Sequence, residues 1–167
     1  MTRTLLFLLL FALAGVVRAQ DAGDLDPKLL TSDKLIVVLG SFRDFKEAQT
    51  RVQALSRASG VPFSLEGKVY DAKRGLILPD GDDDAVYAGS YLLRRHNTTL
   101  LPGHADETEY LSIERSDAYP GLRGGYYIIV GGFYDTARQA AAALARFRLP
   151  AADAYARKTQ LYMGCMH

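Results

Sequence analysis

Two eight-residue runs, LIVVLGSF at 35–42 and YYIIVGGF at 126–133, share one pattern: a continuous apolar stretch closed by Gly, a small residue and Phe. One residue later each is followed by an acid, Asp44 and Asp135. This repetition constrains the fold more than any other feature, because internal self-similarity implies a doubled supersecondary unit. Unbroken apolar runs of this length are expected of central strands buried on both faces. Gly40 and Gly131 permit a sharp turn at the strand end, with Phe42 and Phe133 folding back into the core.

A helix start follows each run. Asp44 with Glu47, and Thr136 with Gln139, have the spacing of a capping box, in which each partner satisfies an otherwise orphaned N–H. Phe45, Ala48, Val52 and Leu55 fall on one helical face before Gly60, and Ala137, Ala140, Leu144 and Phe147 do so before Pro150. Beyond the first helix, Val61, Phe63, Leu65 and Val69 alternate with Ser64, Glu66 and Lys68, which predicts a half-buried strand. A weaker strand is expected near 153–157. The order is β-α-β, an insertion, then β-α-β. That predicts an α+β fold: a ferredoxin-like βαββαβ sheet with pseudo-two-fold halves, two helices on one face and an inserted β-rich segment. The halves span 34–70 and 124–163 of a single domain at 34–163, and the insertion spans 71–123. Within the insertion, 75–79 and 110–115 read as short strands, 86–95 as strand or helix, and Pro120-Gly121 and Gly124-Gly125 as turns. The insertion is expected to enlarge the sheet or to cap its open face.

The N-terminus has the three parts of an export signal. Arg3 precedes an uncharged apolar stretch at 5–17, and Val17-Arg18-Ala19 places small residues for cleavage after Ala19. The stretch is shorter than the roughly 20 residues of a spanning helix, so no membrane span is expected after cleavage. Residues 1–19 are thus read as signal peptide and 20–33 as an acidic leader, which places the chain in the periplasm or outside the cell. Cleavage removes Arg3 and Arg18 and no acid, leaving 18 basic against 19 acidic residues. That balance offers no general attraction to nucleic acid. Cys165 is the only cysteine, so no internal disulfide forms.

The stretches LIVVLGSFRDFKEAQTRVQAL and YYIIVGGFYDTARQAAAALARF resemble the two halves of a SPOR (sporulation-related repeat) domain of the bacterial envelope. The stretch SDAYPGLRGGYYIIVGGFYDTARQA is similar to SPOR-like segments of other envelope proteins. The resemblance implies non-catalytic recognition of peptidoglycan glycan strands by the sheet face and its neighbouring loops.

Tyr87, Tyr91, Arg94 and Arg95 form the densest candidate binding cluster, since tyrosine faces stack on sugar rings and guanidinium forks grip carboxylates. An amphipathic element with buried tyrosines and solvated arginines has the same composition. Tyr127, with Tyr126 and Tyr134, carries the same pair of readings, ligand or core. Asp80-Gly81-Asp82-Asp83-Asp84 alternates carboxylates but lacks the sixth-position Gly and twelfth-position Glu of a calcium loop. His96, His104 and His167 have no zinc-site spacing, and Ser90 lacks a nucleophile-elbow context. No metal, cofactor or catalytic residue is expected. The expected ligand is peptidoglycan glycan or, alternatively, a periplasmic protein that the same scaffold covers as an inhibitor or accessory partner.

Overall fold

The computed structural model of the chain describes residues 31–77 and 109–162. Strand β1 (Thr31–Phe42) leads into helix α1 (Phe45–Ser59), followed by a hairpin of β2 (Val69–Asp71) and β3 (Gly75–Ile77). Strand β4 (Ser112–Arg115) and a 3-10 turn (Ser116–Ala118) precede β5 (Tyr127–Tyr134), helix α2 (Ala137–Phe147) and β6 (Tyr155–Tyr162). The fold is α+β. Strands β4-β5-β1-β6, in that order, form a four-stranded sheet in which every neighbouring pair is antiparallel.

The two helices form for the reasons their sequences give. Asp44 accepts a hydrogen bond from the Glu47 N–H at 3.0 Å, and α1 stops at Gly60, whose left-handed φ of 71° suits a residue without Cβ. Thr136 and Gln139 complete a reciprocal capping box on α2. Phe45, Ala48, Val52 and Leu55 of α1, with Ala140 and Phe147 of α2, bury against Val37, Leu39, Ile113 and Ile129. Both helices therefore cover the same sheet face. Ala137, expected in that stripe, is exposed in the first turn.

At the corner of the repeat, the backbone does not turn at Gly40. β1 continues to Phe42, and Gly40 instead supplies space: a Cβ there would lie 2.8 Å from the Phe42 ring, which folds back over it. β1 also starts earlier than expected, at Thr31 inside the segment read as leader, because 31–38 pair without interruption with 155–162.

The largest departure is at 61–69. Before β2 begins at Val69, only Phe63 makes a strand-like bridge, parallel to Leu111, and the chain then turns through Glu66 and Gly67, with φ of 57° and 77°. The alternation had placed Ser64, Glu66 and Lys68 outward. Instead the Glu66 and Lys68 side chains are only 2% and 5% exposed, while Val69 is 44% exposed at the start of the hairpin. The edge position beside β5 is taken by β4, from the insertion.

The two sheet edges differ. Just before β4, Leu111 pairs with 62–64, through Ser64 N–H to Leu111 C=O at 2.9 Å and Leu111 N–H to Pro62 C=O at 2.8 Å. β6 pairs with β1 on one side only, and no described strand pairs with the other.

Candidate functional site

The sheet face opposite the helices is the surface to which the sequence pointed. Its central side chains are Ile36 and Val38 of β1 and Ile128 and Val130 of β5, all buried. The connection 116–126 folds over them. Tyr119 packs into this apolar cluster, with Ala118, Leu122 and Tyr126 at its margin. The loop closes at its base, where Ser116 N–H donates to Tyr126 C=O and Tyr126 N–H to Ser116 Oγ, at 2.9 and 3.0 Å. Asp117 braces it by accepting from Gly125 N–H at 3.0 Å and from Arg115 at 2.7 Å. Although partial burial opposes ionisation, these bonds and the Arg115 charge hold the Asp117 carboxyl below its usual range. At the loop tip Gly121 has a φ of 88°, and a Cβ there would meet the Lys158 carbonyl oxygen of β6 at 3.2 Å. The segment thus reaches across the sheet from the β4 side to β6. Of the β6 residues on this face, Tyr155 and Arg157 are exposed, whereas Thr159 and Leu161 are buried.

A buried polar cluster lines the β4 side. Tyr110, Ser112 and Glu114 alternate along the chain and share one face. Ser112 Oγ donates to Glu114 Oε1 at 2.6 Å, and the Tyr119 hydroxyl donates to Oε2. Beside them Tyr110 donates to Glu66 Oε1 at 2.6 Å and Lys68 Nζ to Oε2 at 2.7 Å. Burial raises the Glu66 carboxyl above its usual range, the Glu114 charge pushes it further, and Lys68 and Tyr110 oppose the shift only in part. Glu66 is also a non-glycine residue in the left-handed region, a conformation that costs on the order of 1 kcal/mol and persists only where its surroundings fix it. The cluster ties the loop (through Tyr119), the strand β4 and the 64–68 turn together. Sequence reasoning missed it because alternating charges were assigned to solvent. The one available signal was Glu66-Gly67, a turn-prone pair inside a supposed strand.

At the end of the sheet the side chains of Arg43 and Arg123 converge on Tyr126, with guanidinium carbons 5.2 and 5.8 Å from the ring centroid. Tyr127, on the opposite face, is only 7% exposed. Its ring meets Phe45 edge-on at 5.5 Å and Tyr70 at 6.2 Å, with the Arg115 guanidinium 5.0 Å from its centroid. Its place is in the helix-side core. Tyr87, Tyr91, Arg94 and Arg95 lie outside the described residues, as do the acidic turn, the histidines, Cys165 and the N-terminal thirty residues. Among the described residues no three His, Cys, Asp or Glu side chains group as metal ligands, and no helix is long and apolar enough to cross a membrane.

No protein-family model, curated protein or solved structure matches the chain.

Proposed function

We propose that this chain is an exported, non-catalytic binding module on a SPOR-like scaffold of ferredoxin-like topology, and that its ligand is a protein of the same compartment. The strand order supports the topology. With β4 in the role of the second strand, the two repeat strands β1 and β5 sit at the centre, and each is followed by a helix on the same face. One observation carries the choice of ligand. Recognition of glycan across the sheet needs an open face bearing polar and aromatic groups, and here the centre of that face is apolar and covered by 116–126. A scaffold whose own loop closes its sheet is left with edges and loop surfaces, which suit a protein partner.

Co-sedimentation with murein sacculi tests this reading, using native sacculi and sacculi whose stem peptides an amidase has removed. The expected result is no enrichment of the mature chain on either preparation. Enrichment on stripped glycan would overturn the choice of a protein ligand and restore the glycan.

A further inference from the structure

The outer edge of β6, where no described strand pairs, carries a more specific inference, which rests on the protein-ligand reading. β6 (Tyr155–Tyr162) is eight residues long, contains no proline, and keeps an unbroken register with β1. Proteins blunt exposed edges with bulges, prolines, short strands, a covering segment or charged side chains. Among the described residues β6 carries only the charges, which repel a like-charged strand and admit an acidic one. On the β4 side residues 62–64 pair with Leu111, immediately before the strand, whereas no described segment pairs anywhere along the outer side of the longer β6. Tyr155, Arg157, Lys158 and Gln160 are all exposed.

The charges on the strand set the kind of partner. Arg157 and Lys158 are adjacent and therefore point to opposite sheet faces, so positive charge borders the edge on both. Lys158 shares Asp33 at 2.6 Å, but that pair is largely solvent-exposed, and no carboxylate among the described residues pairs with Arg157. A second copy pairing antiparallel along the whole strand would bring both basic pairs together at its centre, across a spacing of about 4.8 Å. An acidic strand reverses that sign. Thr159 Oγ1, buried without a hydrogen-bond partner, lies on the same strand, where a neighbouring strand's side chains would run alongside it. We infer that β6 accepts an extended acidic segment of a protein partner by strand addition, with backbone hydrogen bonds supplying affinity and Arg157 and Lys158 selecting for acid.

The test fuses an eight-residue alternating Glu–Val segment to the C-terminus of the mature chain through a flexible Gly–Ser linker of about twelve residues. This sets an effective concentration in the millimolar range. Parallel fusions carry Lys–Val and Glu–Pro, the latter lacking every second N–H. Amide hydrogen exchange across 155–161 is the readout. The Glu–Val fusion is expected to slow alternate β6 amides at least tenfold, the Lys–Val fusion much less, and the Glu–Pro fusion not at all. In the double variant Arg157→Glu/Lys158→Glu the preference for Glu–Val over Lys–Val reverses. The inference is overturned if Glu–Val gives no added protection, or if Glu–Pro protects equally well. It is also overturned if the unfused chain sediments as a dimer with these amides already protected, since a second copy then holds the edge. Sacculus binding is read separately, so a chain that fails that test while adding the acidic strand loses the wider reading and keeps this one.

Discussion

Removing one hydroxyl tests whether the 116–126 loop is held down as described. In Tyr119→Phe the ring stays against Phe133, 5.7 Å between centroids, so packing is conserved and the bond to Glu114 Oε2 is lost. Glu114 is buried and keeps Ser112 on its other oxygen. A hydrogen bond to a charged group contributes about 1.5–3 kcal/mol, so the variant is expected to lose that much. For a chain of this length each kcal/mol moves Tm by about 2–4 °C, which puts the drop at about 3–12 °C. Urea unfolding of the wild type, Tyr119→Phe, Glu114→Gln and the double variant completes the measurement. Because the two groups share one bond, the single effects are expected to be non-additive by about 1.5 kcal/mol or more. A loss below about 0.5 kcal/mol in Tyr119→Phe, with additive singles, would refute the argument that this bond anchors the loop.

Three further outcomes follow from the same structure. Glu66 has a raised carboxyl value, so between the ordinary 4.5 and that raised value the folded state holds more protons than the unfolded one. Stability then falls as pH rises through that window. Glu66→Gln should remove this slope, matching the wild type near pH 4 and gaining on it toward neutral pH. Parallel curves from urea titrations between pH 4 and 8 would rule this out. Gly40→Ala drives a methyl to 2.8 Å from the Phe42 ring and should destabilise by about 1–3 kcal/mol, with Phe42→Leu in the same chain recovering part of the loss on chemical denaturation. Thr136→Ala deletes the acceptor for the Gln139 N–H at 3.3 Å and should lower stability by about 1 kcal/mol, measured in the same way.

The parts of the fold legible in the sequence are those in which local pattern and burial agree. The two repeat runs are continuous and apolar because β1 and β5 are central and covered on both faces. The caps at Asp44 and Thr136 are local chemistry that tertiary context leaves intact. Where the two disagree, the reading fails. Residues 61–69 alternate like a half-buried strand, yet Glu66 and Lys68 turn inward because each supplies the other's charge partner and Tyr110 supplies a hydroxyl. Residues 110–115 alternate correctly, but alternation does not say which face lies under another segment. That is why Ser112 and Glu114 could not be recognised as buried. Composition leaves Tyr127 open between ligand and core, because its neighbours Phe45 and Tyr70 are distant in sequence, out of reach of any local signal.

The apolar cover also bears on how this chain meets a ligand. Uncovering Ile36, Val38, Ile128 and Val130 would return four buried side chains to water, at about 1.5–3 kcal/mol each. The sum, on the order of 6–12 kcal/mol, rivals the whole stability of a typical domain. A sugar chain reading the centre of the sheet would have to supply that energy before gaining any contact. A ligand that meets the sheet at its rim supplies none of it: β6 keeps its pairing with β1, the loop stays closed, and the outer backbone groups of β6, which pair with no described strand, take up the partner. The cost of recognition there reduces to ordering the incoming segment, roughly 1–2 kcal/mol for each residue fixed, which the ladder hydrogen bonds and the Arg157 and Lys158 charges must offset. A weak, salt-sensitive, strand-shaped ligand is therefore what this architecture favours, and it is the class to which the acidic fusion belongs.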